Sequence, residues 1–198
     1  MPLIETRQLA SHIMLGLWHI SEEAPTPRQR ERLATRNLLC AMTGDDTITI
    51  DHEPSGKPFL KSQFSTLNPQ ISNLNPQISI SHTRGFAAAM LSYGVPVGID
   101  IEYISDRVDR IAPRFIHPEE KAETTLQRLL LWSAKETVYK LYSEDKLAFF
   151  DMRLRGMDSQ VMHIEQRKRE IVVDVHFEHT NDYVLTFATE AAELIRIK

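Results

Sequence analysis

Val97-Gly98-Ile99-Asp100-Ile101-Glu102 alternates apolar residues with glycine or acids, the period-two pattern of a strand. Such a strand turns Asp100 and Glu102 to one face. Two carboxylates side by side repel each other, so a fold that keeps them together usually supplies a cation. Downstream, Leu131-Trp132-Ser133-Ala134-Lys135-Glu136-Thr137-Val138-Tyr139-Lys140-Leu141 reads as a helix. Glu136 and Lys140 are one turn apart and share a face. Trp132 lies one turn before Glu136 and can pack beneath it. Lys135 points about 100° away from Glu136 around the axis. Three carboxylates and two lysines form a set suited to a divalent metal and a diphosphate.

The remaining chain bounds the class. At 198 residues it can bury one good core or two small ones. A net charge of −4 gives no reason to expect a nucleic-acid binder. Its single cysteine, Cys40, rules out an internal disulfide and fits a reducing compartment. No apolar run approaches the ~18 residues that would span a membrane. Met1-Pro2-Leu3-Ile4-Glu5 lacks the basic-then-apolar pattern of a signal peptide. The cytoplasm is the expected location.

Thr26-Pro27 reads as a helix start, an N-cap followed by proline in the first turn. This helix is expected to run to about Met42, with Leu33, Leu38, Leu39 and Met42 apolar and Arg28, Arg30, Arg32 and Arg36 making its other side basic. Thr43-Gly44-Asp45-Asp46 ends it. Ile48 to Asp51 is predicted as a strand and Pro54-Ser55-Gly56 as a turn. Leu67-Asn68-Pro69-Gln70-Ile71-Ser72-Asn73 is followed at once by Leu74-Asn75-Pro76-Gln77-Ile78-Ser79, a tandem duplication. Two proline-bearing copies make neither a solenoid nor a coiled coil. The first copy is expected to be extra surface loop, which costs a fold little.

Ile78–His82 and Phe86–Tyr93 are predicted strands joined by a Thr83-Arg84-Gly85 turn. Asp106 to Phe115 is expected to be helical, and His117-Pro118-Glu119-Glu120 to start another short helix. Leu126 to Tyr142 is the long helix carrying Glu136. Four strands follow: Met152–Gly156, Val161–Glu165, Ile171–His179 and Tyr183–Thr189. Helix then strands, twice over, predicts an α+β fold of two similar halves, 1–96 and 97–198.

Gly98-Ile99-Asp100-Ile101-Glu102 followed by Trp132-Ser133-Ala134-Lys135-Glu136-Thr137-Val138-Tyr139-Lys140 closely resembles the paired signature of the 4′-phosphopantetheinyl transferases. The match is to the larger, pseudo-dimeric surfactin-type branch. Ser55-Gly56-Lys57-Pro58, Ile80-Ser81-His82, and Arg114-Phe115 before Pro118-Glu119-Glu120 extend it, so the resemblance runs from about residue 55 to 141. It implies two pseudo-symmetric halves, each a long helix on a small antiparallel sheet, with the active site in the cleft between them.

The resemblance further implies transfer of 4′-phosphopantetheine from coenzyme A to a serine of an apo carrier protein, acyl or peptidyl, in fatty-acid or secondary-metabolite synthesis. Asp100, Glu102 and Glu136 become magnesium ligands and Lys140 a diphosphate ligand. Lys57, Ser81 and His82 become coenzyme A phosphate contacts, and the Arg28–Arg36 cluster, Arg36 included, a rival for the adenosine phosphates. Ser79 and Thr83 stand where the family often has asparagine and serine around the histidine. Glu120 matches an acid that either helps activate the attacking hydroxyl or caps a helix. Glu136 could serve as base as well as ligand.

Arg107, Arg110 and Arg114, spaced three and four apart, are expected to form one basic stripe on a helix that docks the acidic carrier. A chain that holds both halves need not associate, so a monomer is expected. Two other readings use the same residues: another magnesium-dependent phosphotransferase or diphosphate hydrolase, and a non-catalytic coenzyme A or carrier-binding module.

Overall fold

The computed structural model describes residues 2–61 and 76–190. The chain divides into two compact units, Met1–Val97 with the chain from Thr189 onward, and Gly98–Ala188.

The first unit opens with a β-hairpin, β1 (Leu3–Ala10) and β2 (Ile13–His19), which the sequence reading left out. Its signal is the apolar run Ile13-Met14-Leu15, consistent with a strand buried on both faces. Strands therefore precede the helix in this unit. Helix α1 (Pro27–Thr43) starts as expected: the Thr26 hydroxyl accepts from Gln29 N at 3.2 Å, and the Gln29 side chain accepts from Thr26 N at 3.2 Å. Gly44 stops it in the left-handed region at φ 71°.

Strands β3 (Thr49–His52) and β4 (Pro58–Lys61) form a small hairpin. β5 (Pro76–Thr83) and β6 (Phe86–Tyr93) complete an antiparallel four-stranded sheet of order β1-β2-β6-β5. Leu38, Leu39 and Met42 of α1 share a core with Trp18, Ala87, Ala89 and Leu91 of that sheet. The first copy of the duplicated heptad, with Leu74 and Asn75, lies outside the described residues. Pro76 to Ser79 of the second copy lie in β5.

The second unit is a five-stranded sheet of order β7-β11-β10-β9-β8. The strands are β7 (Val97–Tyr103, entering from the first unit at Val97), β8 (Met152–Met157), β9 (Val161–Gln166), β10 (Ile171–His179) and β11 (Tyr183–Thr189). β8 to β11 pair antiparallel in succession. Across the sheet lies α3 (Thr125–Leu141), capped by Thr124 and Gln127 as α1 is by Thr26 and Gln29. Leu130, Leu131, Ala134, Val138 and Leu141 of α3 share one core with Ile164, Val175, Val184 and Ala188. Both units are α+β. Among the described residues no helix is long and apolar enough to cross a membrane.

Two local expectations are corrected. The helix predicted over Asp106 to Phe115 is α2 (Arg107–Ile111) followed by a 3-10 turn, Ala112–Arg114. Pro113 has no N–H to continue an α-helix, which explains the change. His117–Glu120 forms a turn, not a helix: Glu120 N bonds His117 O, and the Glu120 carboxylate folds back onto His117 N at 2.6 Å.

Gly98 sets the spacing of the second unit. A Cβ built on it would lie 2.3 Å from the Thr137 carbonyl and 3.1 Å from Leu141 Cβ. The backbones of β7 and α3 therefore meet where no side chain intervenes. Gly98, Asp100 and Glu102 share a face of β7, so this approach brings the two acids under the helix. Gly98→Ala is expected to destabilise the fold by about 3 kcal/mol, because the methyl meets backbone that cannot step aside. Urea unfolding of the purified variant measures the loss.

Candidate functional site

The acids face α3 and are met there residue by residue. Asp100 is 4% exposed. Its Oδ1 accepts from Lys140 Nζ at 2.8 Å and its Oδ2 from the Ser133 hydroxyl at 2.8 Å. Lys140 Nζ also donates to Ile99 O at 3.1 Å. Glu102 Oε1 accepts from Trp132 Nε1 at 3.0 Å. The indole is held in turn, edge-on to Phe115 at 5.1 Å and tilted over Phe149 at 4.8 Å between ring centres. The Trp132 indole thus reaches Glu102 by a hydrogen bond, a partner that helical spacing alone does not point to.

The three carboxylates act on one another electrically. Glu102 is pushed up to about 7, first by desolvation and then by the charge of Asp100, with Glu136 adding to it; Trp132 and Lys140 pull the other way. Glu136 is raised by desolvation and by Asp100, and Lys140 again opposes. One lysine beside three half-buried or buried acids leaves the cluster short of positive charge. Hard oxygen donors in that condition suit magnesium, which is commonly held by one or two carboxylates with water and substrate phosphates completing its shell. Among the described residues no three His, Cys, Asp or Glu side chains stand gathered as a preformed ligand group. The donor set fits a metal shared with a phosphate better than a closed protein cage.

Beside the acids lies a pocket of about 350 Å³. Glu136 and Arg114 give it polar edges; Tyr139, Leu147, Phe149 and Phe150 give it apolar walls. Tyr139 and Phe150 are 42% and 44% exposed, so apolar surface remains available to a ligand.

Glu120, for which an activating and a structural role stood open, is wholly buried as a side chain. Its Oε2 meets Lys135 Nζ at 2.8 Å and His117 N at 2.6 Å, and its Oε1 accepts from Leu154 N at 2.6 Å. Lys135 also donates to Phe115 O at 2.7 Å. This pair pins α3 to the 115–120 connection and to β8. Burial pushes the Lys135 ammonium down, and Glu120 restores part of the loss.

The other expected site residues belong to the first unit. Lys57 Nζ donates to Gln77 Oε1 at 3.1 Å. His82 Nδ1 lies 3.5 Å from Glu31 Oε2 of α1. Ser81 is buried in β5. Arg36 donates to the Asp46 carbonyl. The basic stripe is broken: Arg107 and Arg110 ride on α2, whereas Arg114 sits in the turn beyond Pro113 and lines the pocket. All three are exposed. The sequence reading passed over the hydroxyls of Ser133, Thr137 and Thr186, all three fully buried near Asp100 or one another. Their one visible signal was Thr186, polar on the strand face that also carries Val184 and Ala188.

An acid whose folded pKa lies above its unfolded value binds its proton more tightly when folded. Glu102 sits at about 7 against an ordinary 4.5, so metal-free stability is expected to fall as pH rises from 4.5 to 7. The Glu102 contribution to that slope vanishes above 7. Glu102→Gln should flatten the curve, and magnesium added at pH 7.5 should recover stability in the wild type but not in the variant. Thermal midpoints across pH, with and without magnesium, check both points.

A search among curated proteins found no match. Residues 96–188, just under half of the chain, match the family model of the 4′-phosphopantetheinyl transferase superfamily. That stretch holds Asp100, Glu102, Trp132, Glu136 and Lys140 together, and the similarity supports phosphopantetheine transfer in general.

Proposed function

We propose that this chain is a magnesium-dependent holo-carrier-protein synthase of the surfactin-type branch, with two pseudo-symmetric halves. It transfers 4′-phosphopantetheine from coenzyme A to a serine of an acyl or peptidyl carrier protein. The observation that carries the reading is the trio of mutually repelling acids, Asp100, Glu102 and Glu136, beside Lys140. An electrostatic site short of positive charge is what a diphosphate with its cation completes.

In the reaction the serine oxygen bonds the β-phosphorus, the bond to the α-phosphate oxygen breaks, and 3′,5′-ADP departs. The serine proton goes to a base. Phosphoryl transfer asks mostly for position and charge. Asp100, Glu102 and Glu136 would hold the magnesium, which would supply positive charge to the diphosphate. Lys140, tethered beside Asp100 and a quarter exposed, adds its own charge to that diphosphate. Glu136, raised in pKa at the pocket edge, takes the serine proton. The apolar walls offered by Leu147, Phe149 and Phe150 suit the pantetheine arm. Lys57, Ser81, His82 and Arg36 are the candidate contacts for the one remaining phosphate, on the ribose 3′-oxygen. Glu120, bonded on both oxygens inside the core, serves by holding Lys135 and α3 in place. Arg107 and Arg110 dock the acidic carrier.

The first test is the intact mass of an apo acyl carrier protein after incubation with this protein, coenzyme A and magnesium. One added phosphopantetheine, prevented by EDTA, supports the reading. Coenzyme A consumed without carrier identifies a hydrolase, and binding without turnover identifies a binding module. Asp100→Ala and Glu136→Ala should each lower turnover by about a hundredfold or more while circular dichroism stays unchanged. Near-wild-type rates in both sink the assignment.

The docking surface has its own test. Charge reversal at Arg107 and Arg110 should raise KM for carrier by about tenfold through lost electrostatic steering and complementarity. KM for coenzyme A should hold. Steady-state kinetics with each substrate varied separates the two.

A further inference from the structure

Behind Asp100 runs a line of buried hydroxyls. Ser133 Oγ donates to Asp100 Oδ2 at 2.8 Å, Ser133 Oγ and Thr186 Oγ1 are 2.9 Å apart, and Thr186 Oγ1 and Thr137 Oγ1 are 2.6 Å apart. The Thr137 hydroxyl also reaches the Thr186 carbonyl at 3.2 Å. All three residues are 0% exposed. They sit where α3 covers β11, on a strand face whose other members, Val184 and Ala188, belong to the apolar core. Packing alone would be served by valine at 186, which has the shape of threonine. A buried hydroxyl is tolerated only with a partner, so three in a row need a reason.

The direction of the line supplies it. Asp100 Oδ2 accepts from Ser133, and each hydroxyl has one proton to give. Ser133 therefore gives its proton to Asp100 and must accept from Thr186. Thr186, having given its proton, is left to accept from Thr137, whose single proton is shared between Thr186 Oγ1 at 2.6 Å and the Thr186 carbonyl at 3.2 Å. Every O–H dipole then points its positive end toward Asp100, and aligned hydrogen bonds strengthen one another in a low-dielectric interior. The reverse orientation leaves Ser133 with nothing to give to Asp100 Oδ2, the bond the structure shows.

We propose that Ser133, Thr186 and Thr137 form a relay of aligned dipoles that positions Asp100 for a divalent cation, with Thr186 as the positioning residue at its centre. This rests on the reading of Asp100 as a metal ligand. With Oδ2 engaged by the relay, Oδ1 is the oxygen presented beside Lys140. The relay spans two elements, so β11 and the helix over it jointly set the orientation of one carboxylate.

The test measures binding rather than turnover, using Mn2+ as probe and electron paramagnetic resonance to count free ion. Thr186→Val should weaken Mn2+ binding by about five- to tenfold, the worth of one hydrogen bond to a charged group passed through a neighbour. Thr186→Ser, which restores the hydroxyl, should bind within about twofold of wild type, a rescue that a mere packing role would not give. Valine leaves the Thr186 carbonyl in place for Thr137, so no donor is stranded and the metal-free fold should persist. Should Thr186→Val fail to fold, Ser133→Ala deletes the bond to Asp100 itself and is expected to weaken binding at least as much. Asp100→Asn serves as reference and should abolish the tight site. Unchanged affinity in Thr186→Val and Ser133→Ala, with binding lost in Asp100→Asn, overturns the relay and leaves the ligand reading standing. Binding unchanged in Asp100→Asn, or absent from the wild type, overturns both.

Discussion

Everything in the second unit turns on the contact between Gly98 and the Thr137 carbonyl. Where a Cβ would stand only 2.3 Å from that oxygen, helix and strand lie backbone to backbone. Asp100 and Glu102 follow at two-residue steps on the same face. They are thereby carried under α3 within reach of Ser133, Lys140 and Trp132, none of which has a long way to travel. Widening the gap by one methyl would lengthen each of these bonds together. The glycine is thus part of the site's geometry although it brings no chemistry of its own.

That closeness carries an electrostatic cost. Asp100 is buried, and Glu102 and Glu136 both hold their protons more tightly than an exposed glutamate would. Burial is the larger cause in both acids, and the charge of Asp100 adds to it. A fold gains nothing in stability from such an arrangement, since replacing it with apolar residues would remove the penalty. Strained electrostatics that persist beside an open apolar pocket mark a place where a ligand completes the charge balance.

The sequence made the acids legible because their relationship is local. Alternation over six residues puts Asp100 and Glu102 on one face, and helical spacing relates Glu136 to Lys140 without knowledge of the fold. The caps were legible for the same reason: Thr26 with Gln29, and Gly44 at the far end, are read within a few residues. Long-range partners were not. Trp132 meets Glu102 across 30 residues, Ser133 meets Thr186 across 53, and Lys135 meets Glu120 across 15. The N-terminal hairpin escaped because β1 carries an unbroken polar run, Glu5-Thr6-Arg7-Gln8, that hides any period of two, and β2 is almost uniformly apolar, a run whose length alone does not separate strand from buried helix. The stripe of arginines is interrupted before Arg114, because Pro113 cannot continue the α-helix of Arg107 and Arg110.

The two motif lysines show how one helix divides structure from chemistry. Lys135 and Lys140 are five residues apart, about 140° around the axis. Lys135 turns into the core, is wholly buried, and is fixed by Glu120 and the Phe115 carbonyl. Removing either partner of that pair would strand a charge in the interior, a loss of about 3–5 kcal/mol, so this lysine cannot leave. Lys140 is a quarter exposed and rests on a strand carbonyl and the outward oxygen of Asp100. Solvent can take over its hydrogen bonds, so moving it costs far less. The helix is therefore locked in the core through Lys135, while Lys140 on another face stays beside the acids at the surface. Asp100 is held on one oxygen by Ser133 and on the other by Lys140.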